Sequence, residues 1–188
     1  MKTIDFRFDS TALTLLQSLV GENMIKYKCD PFVYSNDVYG IVGICAEHLT
    51  CSFTNSIETL DYYGTPEDVA VFRVASVPEK EIHSLVQGGT MIDMPVQNKI
   101  AEIHIINEHQ KLFRRNEQTY DVMLTRGVIF KMADSLEISL EKNVWFSEMI
   151  TVNRGYQLID RFSPTNEFEE NWEGEFRGEC TREILSLT

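Results

Sequence analysis

Glu102 and His104 come nearest to chemistry by type and spacing. Successive side chains of a strand point to opposite faces, so two residues two positions apart share a face. A carboxylate beside an imidazole forms an acid–base pair when it lies in a cleft. The same pair contributes to a metal site when another strand adds a further ligand. Glu108 and His109 follow shortly after. Against both readings, Glu and His on the wet face of an amphipathic strand ordinarily face water. Glu102 and His104 are therefore the first place to look for catalysis, with no metal and no cofactor expected. His48 falls in a predicted turn and His83 on the solvent side of a predicted helix.

Other catalytic signatures are missing from the sequence. There is no Gly-x-Ser-x-Gly elbow for a serine nucleophile and no His-Glu-x-x-His. Gly88-Gly89-Thr90 is too short for a phosphate loop and lacks the lysine that would follow. The reading leans away from an enzyme.

Two further residue sets suggest binding. Tyr120, Met123, Phe130 and Trp145 would line a small-molecule cavity if their strands enclosed one. In the segment from Ser163 to Gly178, Glu167, Glu169, Glu170, Glu173 and Glu175 interleave with Phe168, Trp172 and Phe176. The aromatic residues recur every four positions, which places them on one side of a helix, although Gly174 opposes that helix. The segment reads either as a cap folded over an open end of the sheet or as a partner-facing surface. In the second case Phe168, Glu169, Glu170, Trp172 and Glu173 would grip a basic protein.

Charge points the same way. The formal net charge is −12, with 29 acidic against 17 basic residues. Such a field repels phosphate backbones, which argues against nucleic acid as a partner. The densest basic cluster, Lys111 with Arg114 and Arg115, reads as a solvated hairpin tip or an anion contact.

These groups must be positioned by strands. Ala101, Ile103 and Ile105 alternate with Glu102, His104 and Ile106, and Leu136, Ile138 and Leu140 alternate with Glu137, Ser139 and Glu141. Tyr120–Thr125 and Gly127–Met132 lie between them, with Arg126 and Gly127 available for a bend and Ala133–Ser135 for a turn. An antiparallel meander follows. Laying Gly40–Phe53 on Gly127–Leu140 matches Gly, Ala, Leu and Ser, so residues 38–55 and 125–142 read as two related hairpin units or as two amphipathic hairpins alike by pattern alone.

Elsewhere, Thr3–Asp9 predicts a strand, and Ser10 predicts the cap of a helix bearing Ala12, Leu13, Leu16, Leu19 and Val20 on one stripe, ended by Gly21. Met24–Cys29 and Val69–Val74 predict strands, and Pro78–Gln87 predicts a second short helix. Thr90–Asn98, with Pro95, reads as loop or edge strand, and Asn143–Val152 and Tyr156–Phe162 as the last strands. The expected fold is mostly β (α+β): an antiparallel meander forming a sandwich or barrel, with one or two short helices packed on it, in a single domain over residues 1–188.

The length suffices to bury a sizeable core, and no apolar run is long enough to span a bilayer. Acidic Asp5 stands where a secretory signal needs an apolar stretch. Cys29, Cys45, Cys51 and Cys180 form no Cys-x-x-Cys pair, which fits small buried hydrophobes in a reducing, cytoplasmic setting. The leading expectation is a soluble acidic binding protein. The alternative is a β-sandwich or barrel holding a small molecule, as carrier or enzyme, with its site near Glu102 and His104. A homo-oligomer paired through edge strands is the third.

Overall fold

The computed structural model describes residues 1–32, 36–62, 65–144 and 146–188. In chain order its elements are β1 (Lys2–Phe6), α1 (Ser10–Leu19), β2 (Asn23–Cys29), β3 (Asp37–Tyr39), β4 (Ile41–Ala46), β5 (Thr50–Tyr62) and β6 (Thr65–Ser76). They continue with β7 (Ile92–Arg114), β8 (Glu117–Met132), β9 (Glu137–Lys142), β10 (Met149–Gly155), α2 (Asn166–Glu170) and β11 (Phe176–Leu187).

The strands form one large, mostly antiparallel sheet in the order β3-β10-β9-β8-β7-β2-β4-β5-β6, with β1 beside β8 and β11 beside β7. It does not close into a barrel. The meander runs through β7, β8, β9 and β10 by successive antiparallel pairing. A second one runs through β4, β5 and β6. Among the described strands only β1 runs parallel to its neighbour.

β7 joins the two halves. Residues 92–99 pair with β2, and from Ile100 onward the strand pairs with β8. The segment Thr90–Asn98 thus belongs mostly to a long strand rather than a loop. Pro95 is accommodated where β2 shifts register between Met24 and Lys26, as expected for a residue with no ladder donor.

The main core lies between the halves. Val42, Ile44 and Phe53 from one meet Ile103, Ile105, Val128, Phe130, Ile138 and Leu140 from the other. Phe53 meets Phe130 edge-on at 5.9 Å between ring centroids, a favoured aromatic geometry. Leu16 and Leu19 of α1 are fully buried against this core. The cap lies one residue before the one read from sequence: Asp9, not Ser10, accepts the Ala12 N–H, at 2.8 Å, and Ser10 is the first residue of the helix. Among the described residues no helix is long and apolar enough to cross a membrane.

The hairpin turns follow from local geometry. Arg115 and Asn116 both have positive φ and join β7 to β8 in a two-residue turn, the type whose twist suits a hairpin. Ala46 N–H donates to the Leu49 carbonyl across two residues, whereas Met132 N–H donates to the Leu136 carbonyl across three, with Ser135 left-handed.

Other segments depart from their sequence patterns for identifiable reasons. Pro78–Gln87 holds only a short 3-10 turn at Glu79–Glu81. Beyond it the Ser84 hydroxyl bonds Asp30 and accepts from the Val86 N–H, a local alternative to helical hydrogen bonding. Ile82 and Leu85 then lie over Gly43 and Gly40, where a Cβ would come within 2.8 Å of each. Tyr156–Phe162 is not a strand but contains a 3-10 turn at Leu158–Arg161. Its buried Leu158 and Phe162, spaced for a helical turn, cover Ile106 and Ile129. The last long strand before this turn starts only at Met149. In the tail, helix is confined to Asn166–Glu170, and Gly174 takes a left-handed conformation beyond it.

Gly127 is held tightly by packing. A Cβ there would stand 2.3 Å from the Leu140 carbonyl oxygen and 2.8 Å from the Phe162 ring. The carbonyl is anchored in the sheet, so Gly127→Ala is expected to cost about 3 kcal/mol of stability, the upper range of overpacking. A shift in urea midpoint measures it; an unchanged midpoint would show that β8 and β9 tolerate separation here.

Candidate functional site

The most unusual chemistry sits where β8 carries an extra residue. Ile106 pairs with Gly127 and Asn107 with Thr125, leaving Arg126 unpaired with any residue of β7. Such a bulge re-aims a side chain. Arg126 turns inward: its side chain is 6% exposed, and its Nε donates to Glu141 Oε1 at 3.0 Å. Its Nη2 lies 3.4 Å from Glu167 Oε2.

A second ion pair lies beside it, because β11 places Arg182 directly opposite Glu108 on β7. Arg182 Nη2 donates to Glu108 Oε1 and to the Ser163 carbonyl, each at 2.5 Å. The Ser163 N–H in turn donates to Glu141, so this residue links both pairs. Burial disfavours the Arg126 charge, but Glu108, Glu141 and Glu167 outweigh it and raise the pKa.

Lys142 completes the cluster. Burial and then the Arg126 charge push its pKa down to about 7, with Glu108 and Glu141 pulling the other way. Its Nζ donates to the Asn143 carbonyl at 3.0 Å. Beside it is a cavity of about 20 Å³ bordered by Gln110, Thr125, Arg126 and Lys142. That volume suits one water molecule and falls far below the few hundred Å³ of a ligand pocket. Despite its depressed lysine, this is a structural ion network with no room for a substrate.

Larger clefts lie on the surface. One of about 380 Å³ is lined by Val144, Phe146, Glu167, Asn171 and Trp172. Another, about 350 Å³, lies on the other side of Trp172 and includes Tyr120, Arg114 and Phe176. A third, about 610 Å³, runs between the Asp5–Asp9 crossing and β11. It meets a fourth, about 280 Å³, at Arg7 and Glu183.

The first candidates, Glu102 and His104, are brought together as their spacing predicts: His104 Nε2 donates to Glu102 Oε1 at 2.7 Å. Lys131 lies 3.6 Å from the other carboxylate oxygen. Burial alone would raise the Glu102 pKa, but the His104 bond and the Lys131 charge hold it below the usual carboxylate range. Neither residue lines any of the clefts just described. Among the described residues no group of three or more His, Cys, Asp or Glu is placed to hold a metal.

The cavity-lining candidates go to separate places. Tyr120 borders the 350 Å³ cleft, Met123 the 280 Å³ cleft, and Phe130 is fully buried in the core. Trp145 lies outside the described residues.

The tail candidates do converge. Phe168 is buried, its ring edge-on to Trp172 at 5.9 Å, and Trp172 contacts Phe176 at 6.1 Å. Phe168 and Trp172 sit on Gly178 of β11, where a Cβ would stand 2.5 Å from Trp172. Glu169 accepts the Cys180 N–H and Glu170 accepts from the Asn166 side chain, while Glu173 is exposed. Glu175 is held between Arg114 and Arg115, each at 2.7 Å. The basic hairpin tip is therefore a docking point for the chain's own tail.

Two pairs escaped the sequence reading. His109 Nε2 donates to Asp121 across β7 and β8, and Glu108 meets Arg182. Both require strand register, which no local spacing encodes. Arg126 did leave a signal, as a charge within an otherwise apolar run. No protein family, curated protein or solved structure matches this chain.

Proposed function

We propose that the chain is a non-catalytic binding protein that receives a basic partner protein on the acidic-aromatic surface of its tail. The observation that carries this reading is the 380 Å³ cleft, walled by Val144, Phe146 and Trp172 and bordered by Glu167. Phe146 is 55% exposed. Glu170 and Glu173 are exposed on the turn that carries Trp172. Aromatic faces flanked by carboxylates suit a lysine or arginine side chain, whose stem packs on the ring while its charge meets the acid.

Charge distribution supports the same reading. Arg126, Arg182, Arg114 and Arg115 are engaged by the protein's own carboxylates. With so much cationic charge committed internally, the excess of 29 acidic over 17 basic residues leaves a field that attracts a basic partner. The four cysteines are free and buried, which supports action in a reducing compartment.

Selection from a random peptide library on the immobilised chain tests the proposal. The expected retained peptides are rich in lysine or arginine beside an aromatic or long aliphatic residue. Phe146→Ala and Glu173→Gln are expected to weaken their retention. Retained peptides without a basic bias, or retention indifferent to both substitutions, would refute it.

A further inference from the structure

We propose that the far half of β11, from Arg182 to Leu187, is a docking edge to which a basic, extended segment of another protein adds as a further strand. Among the described residues β11 pairs only with β7. Its near half is closed on the other side by the tail: Glu169 accepts the Cys180 N–H at 3.3 Å, and Phe168 and Trp172 lie on Gly178. Among the described residues no strand or main-chain hydrogen bond closes the outward side of the far half.

The Cys180 bond also fixes which main-chain groups point outward. In an antiparallel ladder each residue turns its N–H and C=O to the same side, and the side alternates along the chain. Cys180 donates away from β7, and pairing runs without a register shift from Phe176 to Leu187. Arg182, Ile184 and Ser186 therefore turn their N–H and C=O groups outward. An unpaired row of this kind is a template for another strand.

Side chains at this edge suit the same occupant. Ile184 is 48% and Leu185 40% exposed. As consecutive strand residues they lie on opposite faces, and an added strand would flank both. The cleft of about 610 Å³ adjoins this edge and includes Asp5, Arg7, Asp9, Leu13, Glu183 and Leu185. Arg7 lies 2.8 Å from Asp5 and 3.9 Å from Glu183, so one cation stands against two carboxylates there, and with Asp9 nearby the excess acidic charge favours cationic side chains. A second copy of the chain would bring the same carboxylates and a net charge of −12, so like-charge repulsion disfavours it.

The test is titration of the full chain with a synthetic peptide of alternating lysine and valine. Binding is expected, together with slower amide hydrogen exchange at Ile184 and Ser186. Ser186→Pro removes one outward donor at an edge position where proline is tolerated, and should weaken binding roughly tenfold. The same peptide N-methylated on its protein-facing residues should fail to bind the unaltered chain, which tests the edge without touching the fold. The slowed exchange at Ile184 and Ser186 should persist in Phe146→Ala, a readout local to this edge that separates it from the tail cleft. Absence of binding, equal affinity for the N-methylated peptide, or sedimentation showing two copies joined through this edge would overturn the proposal.

Discussion

Arg126→Met is expected to lower the free energy of unfolding by about 3–5 kcal/mol at neutral pH, the cost of leaving a buried charge unpartnered. Glu141 is 4% exposed and would keep only the Ser163 N–H among the contacts described for it. Glu167 would lose its guanidinium partner as well. Chemical denaturation of wild type and variant measures the loss. Arg126→Met combined with Glu141→Leu should recover most of it, because a buried pair replaced as a unit by apolar groups is often neutral. A single variant costing less than about 1 kcal/mol would show that water reaches this cluster.

The second large effect is a pH dependence from Lys142. Its pKa is about 7 in the folded chain against an ordinary 10.5. Below about 7 both states carry the proton, and the folded state bears the full cost of a buried charge. Between the two values the folded chain sheds a proton that the unfolded chain retains, so stability rises with pH by roughly 1–1.5 kcal/mol per unit. Burial raises the thiol pKa of Cys51 and Cys180 from 9.0 to about 12. The unfolded thiols therefore ionise first, and stability falls again above about pH 9. Urea midpoints should peak between these limits, and Lys142→Met should remove the rising limb. A variant with the same slope as wild type would assign the dependence to another group.

Much of the sheet was legible because alternation is a local property. Ile103, Ile105, Ile138 and Leu140 are all completely buried, as their spacing requires. The opposite face was misread where a distant segment covers it. Ser139 and Glu141 alternate with those residues as a wet face would, yet Leu158, Phe162 and the chain through Ser163 bury them. The bulge at Arg126 adds a second displacement. Because Thr125 opposes Asn107 and Val128 opposes Ile105, the odd residues before the bulge share a face with the even residues after it. Met123 and Phe130 therefore share a face while Tyr120 lies on the opposite one, so the three cannot surround one cavity.

The candidate site divides along the same line. Glu102 and His104 are neighbours through a two-residue spacing, which was readable; the tail aromatics do meet, but not on one helix, since only Phe168 lies on α2 and Phe176 already belongs to β11. Their outcomes were not readable: His104 sits beside β11, whose residues carry no clean alternation, and the tail packs on Gly178 of that same strand. Glu108 with Arg182 is a contact between residues 74 positions apart, which only the folded register reveals.

We propose that this chain recognises its partner by charge at an acidic, aromatic surface. Affinity for a library-selected basic peptide, followed over increasing salt, tests it most directly. The logarithm of the association constant is expected to fall steadily with the logarithm of salt concentration, more steeply for peptides with more lysines. An affinity that holds constant across the series would contradict it.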